Sequence, residues 1–490
     1  MDKPSAAHIA LLSLSLGAIV AWQLFLFCNV TPYIGALEGP EASLDRAYCA
    51  QSIALVAAYL LASWKSERVE SLLKRKALPG IAAVGAAAST AILSFAGASA
   101  ASAIVLFPLG GALAALSSAA LLLTLTTRFC SLTLQSNLVA SACSFGLASI
   151  LFLAASPLLR EAALAFAVLL AVASGACLSI CDRLPQPSDE PQIARVPSSE
   201  ERLAKRHSFV RFALLLCVWA ALIEFLRMLY LQAGMNAAGN ALFTKTQAVG
   251  AAVVILIVAA IVLCVRLLPK LFKLSWAYRA ILLLSVISLM ALPLVFLGAP
   301  FALPYALTTG SSMLLSLTIW VLSVAFANRG DAGPVKTVGR VRSWLALSTF
   351  AGFFAARAAF PLIADSLANV LTINLVAVCL LLLGYLSLFT ETDVNALSSL
   401  FPTKRKERFM ALCADVAQRY NLSDRELDVM KLLAKGWNAA HIQETLFISY
   451  NTVATHRKHI YQKLDIHSQQ ELLSLLDTHA AAGNRAERGK

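Results

Sequence analysis

Seven polar side chains near the end of the chain have the types and spacing that suit reading of a double-stranded nucleic acid. They fall within nine consecutive residues: Tyr450, Asn451, Thr452, Thr455, His456, Arg457 and Lys458. Amides, hydroxyls and cations of this kind exchange hydrogen bonds with base edges and contact backbone phosphates. An α-helix fits the major groove, so this chemistry requires a helix that exposes these groups and buries its opposite face.

Four short helices are predicted around that segment. Ser423 and Glu426 have capping-box spacing at the start of the first helix, and Gly436 follows its end. Each later helix has a capping residue before it, and these residues are Asn438, Ser449 and Ser468. The third helix carries the seven polar residues, and its apolar stripe is Val453, Ile460 and Leu464. We therefore expect a four-helix domain at residues 421–480.

The second and third of these helices, joined by a tight turn at residues 447–449, have the arrangement of a helix-turn-helix. The alternative is a small helical bundle with a solvated basic face. The segment resembles the DNA-binding domain of LuxR-type transcription regulators in the stretches LSDRE, LLAKG, LFISYNTVATHRKHIYQKL and HSQQEL. Ala454 departs from the pattern of that family, which usually has lysine at this position.

The resemblance implies a role for each polar residue. Thr455 and Lys458 correspond to base-contacting positions, and Tyr450 lies on the same exposed face. The positions near the phosphates are Asn451, Thr452, His456 and Arg457. In the family the final helix forms a dimer contact. The resemblance therefore also implies a homodimer, formed through this domain, on a double-stranded DNA operator.

The rest of the chain has the composition of a membrane protein. Of its 490 residues, 59% are hydrophobic and 14% are charged, and the mean hydropathy is +0.74. That balance excludes a string of soluble domains and indicates a membrane protein with a soluble appendage. The formal net charge of +13 comes mostly from the loops between apolar segments.

Twelve apolar segments are long enough to cross a bilayer. They lie near residues 8–30, 47–64, 79–96, 100–125, 137–157, 162–181, 209–230, 246–265, 278–298, 300–327, 343–364 and 367–390. A polar, proline-containing linker at 182–208 separates two sets of six, so the halves are residues 1–181 and 209–390. We expect an all-α protein, in which a polytopic twelve-helix bundle over residues 1–390 precedes the four-helix domain.

The distribution of Lys and Arg predicts the orientation of the spans. Loops on the same side as the N-terminus hold 19 of these residues, and loops on the opposite side hold three. Cationic loops stay in the cytoplasm. Both termini are therefore predicted to be cytoplasmic, with the chain in a bacterial inner membrane. This orientation keeps residues 421–480 on the side of the membrane that holds the DNA.

The six-plus-six layout resembles the major facilitator superfamily of transporters, whose two halves enclose a binding site near the middle of the membrane. The loop after the second span reads KSERVESLLKRKAL, without the glycine and the Asp-Arg pair of the family signature. The resemblance therefore implies the fold, while this departure favours a sensor over a working transporter.

Few ionisable residues lie within the predicted spans, so those present mark a structural or functional site. Glu224 in the seventh span and Arg357 in the eleventh are placed at similar depth by their distance from the span ends. Arg227 lies one turn from Glu224, and Gln23 is a polar residue within the first span. One interpretation is a structural ion pair of Glu224 with Arg357. The other is a ligand pocket that all four residues line.

Residues 391–420 connect the membrane part to the last domain. An amphipathic helix is predicted there from the spacing of Phe409, Leu412, Val416 and Tyr420. This helix either packs on the DNA-binding domain or relays a change from the last span. Residues 481–490 are expected to form a disordered tail.

The sequence contains no nucleophile–base motif and no ligand-spaced cluster of His and Cys, so neither an enzyme nor a metal or other cofactor is predicted. The two resemblances together imply a membrane-embedded one-component transcription regulator that senses a small molecule or a membrane signal. Its partners would be operator DNA, the lipid bilayer and an unidentified small-molecule ligand. The alternative is a transporter of the major facilitator type that carries its own DNA-binding regulatory domain.

Overall fold

The structure is a computed structural model. It describes residues 6–28, 40–96, 100–132, 134–155, 158, 160–184, 211, 213–230, 232, 249–260, 262–263, 274–298, 302–327, 333–364, 366–388, 404–446 and 448–488. Every regular element within these ranges is a helix, so the predicted all-α fold is confirmed. The chain divides into two compact units, Met1–Ser398 and Ser399–Lys490.

Long apolar helices make up the first unit. Within the described ranges they are α1 (Ala6–Cys28), α2 (Pro40–Trp64), α3 (Ser66–Leu73), α4 (Leu78–Phe95), α5 (Ala100–Phe129), α6 (Leu134–Ala155), α7 (Arg160–Cys181), α8 (Ala213–Tyr230), α9 (Val249–Ala260), α10 (Leu274–Phe296), α11 (Ala302–Ala327), α12 (Pro334–Ala364) and α13 (Leu367–Leu388). The short α3 is the amphipathic exception, because charged residues interrupt its apolar side chains.

Ten of the described helices are long and apolar enough to cross a membrane, as a polytopic membrane protein requires. Two shorter apolar helices, Val249–Ala260 and Arg279–Val295, lie where the eighth and ninth spans are predicted. The count of twelve spans therefore stays a prediction. Most of the predicted central linker, from residue 185 onward, lies outside the described residues.

Two helices begin earlier than hydropathy predicts. α12 begins at Pro334 rather than near residue 343, and α2 begins at Pro40 rather than near residue 47. Hydropathy detects only the apolar part of a helix, whereas proline is favoured in the first turn and marks the true start. Gly333, just before α12, has a φ of +75°, a backbone conformation that glycine adopts without strain. As a result Arg342, which hydropathy places in a loop, lies inside α12.

Helices of the membrane unit approach closely where glycine leaves out a side chain. A Cβ on Gly111 of α5 would lie 2.2 Å from the Ala47 carbonyl oxygen of α2. A Cβ on Gly352 of α12 would lie 2.2 Å from the Ala221 carbonyl oxygen of α8. Neither position accepts a side chain unless a backbone moves, so direct backbone contact holds these helix pairs together.

α2 and α12 run antiparallel and touch near both of their ends. The rings of Tyr48 and Phe353 lie 4.6 Å apart, centroid to centroid, toward one end. Toward the other end, a Cβ on Gly339 would lie 2.9 Å from the Tyr59 carbonyl oxygen. Because α2 belongs to the first predicted half and α12 to the second, this contact joins the two halves.

The second unit is a small helical domain with its own core. Within its described residues the helices are α14 (Lys404–Arg419), α15 (Asp424–Leu433), α16 (Ala439–Leu446), α17 (Tyr450–Leu464) and α18 (Gln469–Arg488). Their apolar faces meet in one cluster, whose most buried members include Met430, Ile442, Val453, Ile460 and Leu472.

α14 packs on this core. Cys413 and Val416 are fully buried in the core, and Phe409 and Leu412 pack against it. The predicted packing of this helix on the C-terminal domain is therefore observed. The alternative role, relay of a change from the last span, stays a prediction. α18 continues to Arg488, into the segment where a disordered tail is predicted. The alanines at 480–482 are strong helix formers and carry the helix past the expected boundary.

Candidate nucleic-acid interface and membrane cavity

Side-chain caps define where the two helices of the helix-turn-helix begin. Asn438 Oδ1 accepts the His441 N–H at 2.9 Å at the start of α16. Ser449 Oγ accepts the Thr452 N–H at 3.1 Å at the start of α17. Each predicted cap satisfies a backbone donor that has no partner within its helix. The caps therefore help to determine which side chains of α17 point away from the core.

α17 presents the predicted DNA-reading residues on its outer surface. Its inner stripe, Val453, Ile460 and Leu464, is at most 2% exposed. The predicted contact residues that are exposed are Tyr450, Asn451, Thr452, Thr455, Arg457 and Lys458, and His456 is half-buried. The structure thus exposes six of the seven on the outer surface of α17, with His456 at the border of the buried stripe. Their contact with DNA stays a prediction.

Two of these side chains are already engaged within the helix itself. The Thr455 hydroxyl donates to the Asn451 carbonyl oxygen at 2.9 Å, and the Thr452 hydroxyl lies 2.8 Å from Ser449 Oγ at the cap. Arg457 and Lys458 are long, exposed cations, which suits them to phosphates and to the acceptors of guanine.

A buried carboxylate links α15 to α17. The sequence does not reveal its long-range partner. Glu426 is 4% exposed and completes a capping box with Ser423. Lys463 Nζ donates to Glu426 Oε2 at 2.7 Å. Burial by itself raises the pKa of this carboxyl, but hydrogen bonds from Lys463 and Ser423 outweigh burial and lower the pKa to about 2. At neutral pH the charged pair therefore holds α17 against α15.

The membrane unit contains a cavity of about 300 Å³, which is at the small end of the range for ligand pockets. Its apolar walls come from both predicted halves and include Val20, Phe145, Phe152 and Val254. Three of the four residues predicted to bind a ligand line it, namely Gln23, Glu224 and Arg227. Tyr48, Gln51 and Arg342 add further polar groups.

Glu224 and Arg227 form an ion pair in the cavity wall. Arg227 Nη2 lies 2.6 Å from Glu224 Oε1, and Arg227 Nε donates to Glu224 Oε2 at 3.0 Å. The Tyr48 hydroxyl of α2 also donates to Glu224 Oε1, at 2.9 Å. The two charged residues are 6% and 8% exposed, and their bidentate pairing offsets the cost of removing them from water.

The predicted pairing of Glu224 with Arg357 is wrong. Arg357 forms an ion pair with Asp45 of α2, and it is not among the residues that line the cavity. Distance along a helix fixes the depth of a residue but not the direction in which its side chain points. Arg227 sits on the same face as Glu224, whereas the early start of α2 brings Asp45 to Arg357.

Arg342 is a cavity residue that hydropathy places in a loop. Its guanidinium carbon lies 5.0 Å from the centroid of a Trp320 ring, and Tyr59 is a further neighbour of its charge. Tyr59 and Trp320 are both buried. The signal in the sequence that places Arg342 on a helix is Pro334, which marks a helix start ahead of the apolar segment.

Comparison with known families identifies the C-terminal domain. Residues 420–476 match the family described as "Bacterial regulatory proteins, luxR family". Over 52 residues the chain is 48% identical to the oxygen regulatory protein NreC of Staphylococcus carnosus (strain TM300), and 48% identical to that of Staphylococcus haemolyticus (strain JCSC1435). Each match covers 11% of this chain, and the chain spans only 24% of the length of these relatives.

The membrane unit is similar in fold to transporters of known structure. The chain aligns with the human organic anion transporter MFSD10 (TETRAN) at a TM-score of 0.53 and 14% identity, over 79% of this chain and 100% of that one. A bacterial homologue of the iron transporter ferroportin aligns at a TM-score of 0.51 and 13% identity, over 78% and 97% of the two chains. Identity this low shows the fold alone.

Fold and site together define a polytopic membrane protein with a C-terminal helix-turn-helix domain. More specifically, the chain joins a major-facilitator-like membrane domain to a LuxR-type DNA-binding domain, as the two sequence resemblances predict. Both parts have their relatives among non-enzymatic families.

Proposed function

We propose that the protein is a membrane-embedded one-component transcription regulator. A small molecule binds in the membrane cavity and favours one arrangement of the two halves, and the C-terminal domain changes its binding to DNA in response. The observation that carries the proposal is that one chain holds both an exposed LuxR-type reading helix and a cavity with buried polar groups.

In this proposal the ligand contacts Gln23, Glu224 and Arg227. A polar ligand that competes for Arg227 frees Glu224 from its bidentate partner and changes its hydrogen bond with Tyr48. Tyr48 belongs to α2 and packs on Phe353 of α12, so the ligand acts on a contact that joins the halves. A ligand shifts such an equilibrium only by the difference between its affinities for the two arrangements.

DNA binding in this proposal depends on α17. Thr455 and Lys458 contact base edges, together with Tyr450, and the phosphate contacts come from Asn451, Thr452, His456 and Arg457. Two copies pair through α18, whose Leu473 is an exposed apolar side chain at 40% exposure. Dimeric helix-turn-helix proteins bind two half-sites, so the operator would have matching symmetry.

The C-terminal domain must lie in the cytoplasm to reach DNA. The bias of 19 Lys and Arg against three, counted with the loop boundaries predicted from the sequence, supports that orientation in a bacterial cytoplasmic membrane. A C-terminal fusion to a phosphatase that is active only outside the cytoplasm tests it. We expect the fusion to be silent. Phosphatase activity outside the cytoplasm would contradict the proposal.

Sequencing of the DNA that the protein retains is the direct test of DNA binding. Full-length protein in lipid nanodiscs is mixed with fragmented genomic DNA, and the bound fragments are recovered. We expect the wild type and Lys435→Ala to enrich the same few sites, and Lys458→Ala to lose them. Lys435 is the matched control, because it is an exposed lysine outside α17. Equal enrichment by Lys458→Ala would refute the assigned reading face.

Transport is the second candidate function, because the membrane unit shares its fold with transporters and contains a cavity between its halves. The missing signature in the loop after the second span weighs against it. Uptake into vesicles decides the matter, with the cavity-filling variant Thr309→Phe as the comparison. Accumulation of a compound by the wild type but not by Thr309→Phe would establish transport.

A further inference from the structure

We infer that the cavity ligand is a small organic anion and that Arg342 is its counter-ion, an inference that rests on the proposed ligand-binding role of the cavity. Among the described residues, the charged side chains that line the cavity are those of Glu224, Arg227 and Arg342. Glu224 and Arg227 pair with each other, so their charges cancel. No residue in the described part of the chain forms an ion pair with Arg342. The described lining of the cavity therefore carries a net positive charge.

The groups around Arg342 do not neutralise it. The Trp320 ring attracts the guanidinium through its π-face but supplies no acceptor oxygen. The nearby Tyr59 is a neutral group. Arg342 Nε and Trp320 Nε1 are both buried and have no hydrogen-bond partner among the described residues. The described groups around Arg342 thus include more donors than acceptors.

Charge and shape together define the ligand class. A cation within the membrane is costly until an anion pairs with it, so binding of a monoanion is favoured over binding of a neutral or cationic molecule. The guanidinium fork matches a carboxylate by two parallel hydrogen bonds. The walls beside it are apolar, with Leu16, Phe145 and Phe152 among them, and the volume of about 300 Å³ is small. The ligand is therefore a compact molecule with one oxyanion and an apolar body.

Thermal unfolding of the full-length protein in nanodiscs tests this inference. The probes are hexanoate and benzoate, their neutral amides, hexylamine, and sodium chloride as an inorganic anion. The variant is Arg342→Gln, which keeps hydrogen-bonding capacity and removes the charge. Arg340→Gln is the matched control, because Arg340 is exposed on the same helix and does not line the cavity.

We expect at least one carboxylate to raise the Tm of the wild type and of Arg340→Gln, whereas its amide, hexylamine and chloride do not. In Arg342→Gln the affinity for that carboxylate falls at least about tenfold, as loss of a charge-assisted hydrogen bond predicts. Without any probe, Arg342→Gln unfolds at the wild-type temperature or above it, because removing an unpaired charge from the membrane offsets the lost contact with the Trp320 ring. A purely structural arginine would instead lower the Tm when replaced.

The inference is overturned if neither carboxylate raises the Tm, if Arg342→Gln keeps the full shift, or if chloride alone reproduces it. A shift produced by an amide or by hexylamine, and abolished in Thr309→Phe, would show a cavity ligand that is not an anion. In that case the proposed regulatory function stands and this inference falls.

Discussion

The Glu426–Lys463 pair yields a quantitative prediction for the C-terminal domain. Replacing Glu426 by Gln keeps a residue that serves in a capping box, but it removes the charge that Lys463 meets at 2.7 Å. The pKa of this carboxyl is lowered from 4.5 to about 2 in the folded domain. At about 1.4 kcal/mol per pKa unit, this lowering corresponds to about 3 kcal/mol of stability at neutral pH.

The direction of the pKa shift determines the sign of the pH dependence. Because the folded-state pKa is lowered, the stabilisation is present above pH 4.5 and is lost as the pH falls toward 2. Roughly half of it is gone at pH 3. Lys463 is 40% exposed, so solvent screens part of the interaction. We therefore expect Glu426→Gln to lower the free energy of unfolding by about 1.5–3 kcal/mol at pH 7, and by clearly less at pH 3.

Urea unfolding of residues 399–490 measures this effect, since these helices share a core of their own. Trp437 is the only tryptophan in that segment and reports unfolding by its fluorescence. The loss corresponds to a fall in Tm of roughly 6–24 °C for a domain of this size. Lys435→Met is a control for the companion variant Lys463→Met, which leaves the carboxylate buried without its lysine. The reasoning is refuted if Glu426→Gln matches the wild type at pH 7, or if the gap does not shrink at pH 3.

Three further changes test other parts of the molecule. Lys458→Ala should weaken operator binding by about 1–3 kcal/mol without altering the circular dichroism of the domain, and fluorescence anisotropy with labelled operator measures this loss. Asp45→Asn should lower the Tm of the full-length protein, whereas Asp45→Asn combined with Arg357→Gln should be nearly neutral in the same scan, because both charges are then gone. Gly352→Ala should reduce the yield of folded protein on size exclusion, because its Cβ would lie 2.2 Å from a backbone oxygen, while Gly80→Ala meets nothing within 4 Å and should not.

Local signals predict much of the C-terminal domain, because each one depends only on sequence neighbours. Ser423, Asn438 and Ser449 cap helices as their spacing predicts. The apolar stripe of α17 is buried for the same reason, since one helical period sets both of its faces. The ion pair between Glu426 and Lys463 joins residues 37 positions apart, and no local pattern reveals it.

The membrane cavity is harder to predict from sequence, because it depends on how helices are rotated against one another. Glu224 and Arg357 are predicted to share a depth, but they pair with Arg227 and Asp45, respectively. Hydropathy also hides Arg342, since a charged residue near the start of α12 reads as part of a loop. The sequence nevertheless predicts a site with buried polar groups within the membrane. Ionisable residues are scarce in the spans, so the few that are present mark such a site.

The most direct test of whether the membrane cavity controls transcription compares the transcript profiles of four strains. Each strain holds the same amount of this protein in its membrane. They carry the wild type, Lys458→Ala, Thr309→Phe and Thr372→Phe. Thr309 lines the cavity and Thr372 is exposed on α13, and each hydroxyl bonds to the carbonyl four residues earlier, so these two variants are matched. We predict that Thr309→Phe alters genes that Lys458→Ala also alters, and that Thr372→Phe alters none of them. Unchanged expression of those genes in the Thr309→Phe strain would contradict the proposed control.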